Sequence, residues 1–99
     1  MIPVRFEPEV HEDIAGILEW YGAQNARLPE AFLLELRGLV SLIGDSPQMA
    51  PVTYRGLRRA VLRRFPYCVY YSSSPDEVRI VAVLHGRRDM RPLRSRLDS

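Results

Sequence analysis

The stretch Tyr67-Cys68-Val69-Tyr70-Tyr71-Ser72-Ser73-Ser74-Pro75-Asp76-Glu77-Val78-Arg79-Ile80-Val81-Ala82-Val83-Leu84 decides the fold. Tyr67 to Tyr71 is largely aromatic and β-branched, a composition suited to a pleated, half-buried surface. Ser72 to Asp76 is turn chemistry. Val78 to Leu84 is almost continuously apolar, which predicts a strand covered on both faces. Two strands joined by a short polar turn make a hairpin, and therefore an antiparallel pair.

Upstream, Leu57 to Phe65 mixes Arg with Ala60, Val61 and Leu62 and reads as a third strand. Residues 57, 59, 61, 63 and 65 share one face, and 58, 60, 62 and 64 the other. With Ala60 and Leu62 turned inward, Arg59 and Arg63 project together from the open face. Arg58 and Arg64 then flank the two apolar residues. Asp45 to Tyr54, holding Pro47 and Pro51, reads as a loop.

The period changes before that loop. Phe32, Leu36, Leu39, Val40 and Ile43 fall on one helical face that starts at Pro29 and stops near Gly44. Leu33, Leu34 and Leu42 widen this stripe and call for a further covering surface, expected to be the sheet. Val10, Ile14, Ile17, Leu18 and Tyr21 repeat the helical spacing behind Pro8, with Glu7, Glu9, Glu12 and Asp13 near the positive end of the helix dipole. Val4-Arg5-Phe6 is a short strand. The expected order is β-α-α-β-β-β: an α+β fold with an antiparallel curved sheet and a helical hairpin on one face. Residues 1–99 are expected to form one domain.

The charge is unevenly spread. Residues 1–54 hold three arginines against eight acidic residues, a net −5, while residues 55–99 hold eleven against four, a net +7. All basic residues are Arg, whose planar fork matches phosphates and carboxylates. The second half is therefore expected to bind something anionic. A lone Cys68 excludes an internal disulfide and suits a reducing cytoplasm. No apolar run reaches the roughly 18 residues of a membrane span, and the N-terminus lacks a signal-peptide layout.

Candidate chemistry gathers in the basic half. Gly86 lets the chain turn after the last strand and exposes its neighbours, so His85, Arg87 and Arg88 sit at the sheet rim. Histidine is poised for proton transfer near neutrality, and paired arginines hold phosphate. Arg59, Arg63, His85 and Arg88 are the catalytic candidates, placed to contact an anionic group. Arg58, Arg64, Tyr67, Tyr71 and Arg87 are candidate binding residues. Strand tyrosines also serve as packing, and His85 also serves as an edge cap. Two His and one Cys, widely separated, give no metal site. Without a glycine-rich phosphate loop, no cofactor is expected.

The blocks Gly56-Leu57-Arg58-Arg59, Arg63-Arg64-Phe65-Pro66-Tyr67, Val69-Tyr70-Tyr71 and Val81-Ala82-Val83-Leu84-His85-Gly86-Arg87-Arg88-Asp89 resemble the RelE/ParE toxin superfamily. Trp20-Tyr21 and Ser46-Pro47 fit the same resemblance, which spans about residues 4 to 89. It implies a toxin of a type II toxin–antitoxin system, acting in growth arrest and plasmid stabilisation. It also implies a cognate antitoxin, whose extended acidic segment covers a groove or sheet edge. One branch of the superfamily cleaves mRNA on the ribosome with basic residues and a tail tyrosine. Arg59 and Arg88 match that pattern. Cys68 and Val61 replace basic positions in it, and residues 89–92 contain no tyrosine. The chain looks more like the ParE branch, whose members bind DNA gyrase. Ribosome-dependent mRNA cleavage is the alternative, and a degenerate toxin that only binds antitoxin is a third.

Overall fold

The computed structural model describes residues 2–86 and 90–98. In chain order the elements are β1 (Val4–Phe6), α1 (Pro8–Gln24), α2 (Leu28–Asp45), β2 (Val52–Tyr54), β3 (Leu57–Val61), β4 (Tyr67–Ser73), β5 (Val78–His85) and α3 (Arg91–Asp98). The strands form one sheet in the order β1-β5-β4-β3-β2. It is an α+β fold with the helical hairpin α1–α2 on one sheet face, as the periodicities require.

Pro8 starts α1 where a missing N–H is harmless. The hairpin turns at Asn25, whose N–H returns to the Tyr21 carbonyl and whose side chain accepts the Arg27 N–H. Val10 and Ile17 of α1 and Phe32, Leu36 and Ile43 of α2 meet Ala60, Val69, Tyr71, Val78, Ile80 and Val83 of the sheet in one core. Full burial of Phe32 alone is worth about 1.5–3 kcal/mol.

The Phe65-Pro66-Tyr67 block has a structural job here. Phe65 meets Tyr21 and Phe32 edge-on at 5.2 and 5.3 Å, and Tyr67 meets Phe32 at 5.8 Å. Pro66 offers its carbonyl to the Gly86 N–H at 2.8 Å. Aromatic edge contacts of this kind add about 0.5–1.5 kcal/mol each beyond area burial. The block pins the β3–β4 connection to the helices.

Several particulars differ from the sequence reading. The sheet is mixed, because β1 runs parallel to β5, with Val4 beside Val78 and Phe6 beside Ile80. Val52–Tyr54, read as loop, is a strand joined to β3 through Arg55 and Gly56, both at positive φ (49° and 80°). That two-residue turn twists with the strands it joins. Strand β3 ends at Val61, since the Leu62 N–H closes the turn onto the Tyr67 carbonyl. Arg63 therefore leaves the sheet and does not share a face with Arg59. Leu34 and Leu42 remain 60% and 56% exposed, so the sheet does not cover the widened stripe on α2.

The second sheet face is covered in part. Helix α3 lies on it, and Leu93 is fully buried among Leu57, Cys68, Tyr70, Val81 and Ala82. A β-bulge makes this possible. Tyr70 pairs with Ala82 and Tyr71 with Ile80, leaving Val81 as the extra residue. Val81 and Ala82 consequently both serve the α3 side, and Val83 returns to the hairpin side. No described helix is long and apolar enough to cross a membrane.

Candidate functional site

The sequence-predicted residues fall on separate surfaces. Arg59 lies on the α3 face, half-buried, its Nε donating to the Cys68 sulfur at 3.3 Å. That bond holds the guanidinium above its ordinary range, with the partial charge of the thiol adding to it and burial opposing it. Neighbouring Tyr70 is buried, which raises its phenol above the usual value. A Cβ at Gly86 would stand 3.4 Å from the Cys68 sulfur and 3.6 Å from Arg59 Nη2. Gly86 thus packs closely over the Arg59–Cys68 pair.

His85 lies on the other side of the sheet. Its ring stands 5.3 Å edge-on from Tyr67, at the end of a groove that also takes in Gly16 and Trp20 of α1. Trp20 is 63% exposed there. Glu12 and Asp13 line the same groove.

Arg63 and Arg64 lie beyond the strand. Glu35 of α2 accepts both of their main-chain N–H groups and also pairs with the Arg64 guanidinium at 3.5 Å. Arg58 is turned to the hairpin side and donates to the Ala50 carbonyl at 2.6 Å. Tyr71 is fully buried, and its hydroxyl donates to the Pro47 carbonyl at 2.8 Å. Burial raises its phenol above the ordinary value, against a smaller lowering from the Ala50 backbone and Arg58. Arg58 and Tyr71 together hold the loop between α2 and β2. Arg87 and Arg88 lie outside the described residues.

One constellation escaped the sequence reading. Arg96 of α3 grips the Asp13 carboxylate with both Nη atoms, at 2.7 and 2.6 Å, and its Nη1 reaches the Val81 carbonyl at 3.0 Å. Asp13 also accepts the Val83 N–H at 3.0 Å. The two side chains are only 16% and 10% exposed. Strand β1 accompanies β5 only to Ile80, so this clamp caps the stretch of β5 edge that β1 leaves uncovered. The only prior signal was an acidic residue on α1 and an arginine in the tail, far apart in sequence.

The sequence from β1 through β5 is matched by a family model. The model for the ParE toxin of the type II toxin–antitoxin system parDE covers residues 4–90. The chain belongs to the ParE toxin family. Among solved structures, it is similar to the chromosomal ParDE TA system from P. aeruginosa, with a TM-score of 0.64 and 19% identity. The match covers 86% of this chain and 96% of that one. At that identity the likeness speaks for the fold. No curated protein matches the sequence. For a ParE-family chain, the described arginines are mostly committed to its own scaffold: Arg58 to a loop, Arg64 to Glu35, Arg96 to Asp13.

Proposed function

We propose that this ParE-family toxin acts in the bacterial cytoplasm by binding DNA gyrase, and that a cognate antitoxin with an acidic segment neutralises it. The observation that carries binding over RNA cleavage is that the His85 and Arg59 side chains project from opposite faces of the sheet. Hydrolysis or transesterification of RNA requires an acid and a base placed around one phosphate. His85 borders the α1 groove, Arg59 lies on the opposite face beside Cys68 and Gly86, and Arg63 stands off the strand beside α2. Such a distribution suits contacts with a large partner, for which residues on several faces contribute independently. The basic half, at net +7, favours an acidic antitoxin segment.

The test is expression without antitoxin, together with purified toxin added to gyrase. Supercoiling should fall, cleavage complexes should accumulate, and induced cells should filament. Antitoxin added first should abolish all three effects. Unaffected gyrase together with new mRNA ends at ribosomal A-site codons would replace this reading with the nuclease one. Neither effect, with antitoxin binding intact, would mark a toxin that has kept only its partner.

A further inference from the structure

Helix α2 turns Phe32, Leu36 and Ile43 into the core, and its opposite side carries a second stripe. At 3.6 residues per turn, Arg27, Ala31, Leu34, Gly38, Leu42 and Asp45 line that side from the N-cap to the last turn. Leu34, Gly38 and Leu42 are exposed, and Val61 at the end of β3, 56% exposed, extends the patch beside Leu42. No described element of the chain covers it. Two features of this stripe work against the helix standing alone. Gly38 lies in mid-helix, where glycine is less favourable than alanine. A Cβ there would meet nothing within 4 Å, so the chain's own packing gives no reason for a missing side chain. Arg27 stands at the N-terminal end and Asp45 at the C-terminal end, each the wrong sign for the helix dipole.

We infer that this stripe is a self-association surface, on which a second copy of the chain packs its own α2 antiparallel about a two-fold axis at Gly38. Leu34 and Leu42 stand four residues to either side of Gly38, so Leu34 of each copy lies against Leu42 of the other. At the crossing the two glycines let the helix axes approach to about 8 Å. Arg27 stands about 16 Å along the axis before Gly38, and Asp45 about 10 Å after it. In the antiparallel pair each Arg27 therefore comes within a side chain's reach of the other copy's Asp45. Each charge also meets the end of the facing helix dipole that suits its sign. Within one chain the two residues cannot pair, since α2 is about 27 Å long. The symmetry about Gly38, in leucines and in charges, selects a second copy over an unrelated helix. Two such stripes bury roughly 1,000 Å2, the lower end for a specific interface, so the dimer dissociates in the micromolar range. This self-association is independent of the gyrase and antitoxin readings.

The test is sedimentation velocity on the purified full chain over a range of concentrations, where a monomer–dimer equilibrium is expected. Leu42→Glu should raise the dissociation constant by at least about tenfold. Arg27→Asp and Asp45→Arg should each raise it about threefold or more, by setting like charges opposite one another. The double exchange should bring it back to within about twofold of the unmodified chain. Only contacts between copies give such a rescue. The exchanged charges suit the dipole of their own helix, so melting temperatures should not fall and misfolding does not account for a lost dimer. A chain that stays monomeric up to about 1 mM overturns the inference. So does a dimer indifferent to Leu42→Glu or to charge reversal, which lies on another surface. A monomeric chain whose binding to gyrase weakens in Leu42→Glu gives the stripe to that partner and likewise overturns the inference.

Discussion

Replacing Arg96 by Met should release α3 from the sheet, and the lone cysteine reports it. An isolated helix of eight residues is unstable in water. Its docking therefore rests on Leu93, fully buried, and on the Arg96–Asp13 pair. That pair is mostly buried and bidentate, and removing one partner of such a pair costs about 3–5 kcal/mol. Asp13 keeps its bond to the Val83 N–H, so the lower end, about 3 kcal/mol, is the expected loss. If the loss is local, it raises the fraction of molecules with α3 detached by roughly 150-fold. Cys68 is 1% exposed in the same cluster as Leu93. Its labelling by a thiol reagent under native conditions should accelerate by about two orders of magnitude in Arg96→Met. Asp13→Asn should do the same, and the double variant should show a coupling of at least about 1 kcal/mol. A stability loss with unchanged thiol reactivity would refute the argument, because the clamp would then support the global fold and not α3. So would strict additivity.

Phe32→Ala should lower stability by about 3–5 kcal/mol in urea denaturation, since it empties the centre of the aromatic cluster. Tyr71 and Tyr70 have raised phenol pKa values in the folded chain, so their contribution is complete below the unfolded value near 10 and fades as pH rises through the folded one. Urea midpoints should therefore fall above about pH 10. Tyr71→Phe should flatten that fall while losing about 1 kcal/mol at neutral pH with the Pro47 bond. Gly56→Ala should cost about 1 kcal/mol by thermal melting, because Gly56 sits at φ +80° where a Cβ is unfavourable although space is open.

Much of the architecture was legible where the signal is local. Helical spacing located both helices, and the apolar run from Val78 to Leu84 located a strand covered on both faces. What escaped depends on distant partners. Residues 91–98 are rich in Arg, and Met90, Leu93 and Leu97, though at helical spacing, make a stripe too short to announce a helix. Docking onto the sheet makes one. Nothing near Val4–Phe6 says that its partner is β5 or that the pairing is parallel. The continuous apolar run also hid the bulge, since an alternation is needed to see its parity break at Val81. Arg59 does project from the face away from the hairpin, but α3 covers part of that face, and the turn to Tyr67 ends β3 before Arg63 can share it. The arginine excess was visible, but sequence could not separate arginines that brace the scaffold, such as Arg58 and Arg96, from those free to meet a partner.

The pairing of β1 with β5 sets an order of events during synthesis. The helical hairpin is built from neighbours in sequence and can form early, as local contacts do. The first strand must wait, because its ladder partner among the described residues is β5, which is made after every other strand described. Until then the apolar faces of Val4 and Phe6 have no sheet to join. Completion of the fold is thus tied to the synthesis of β5, and nascent chains cut short before β5 should be unable to close the core.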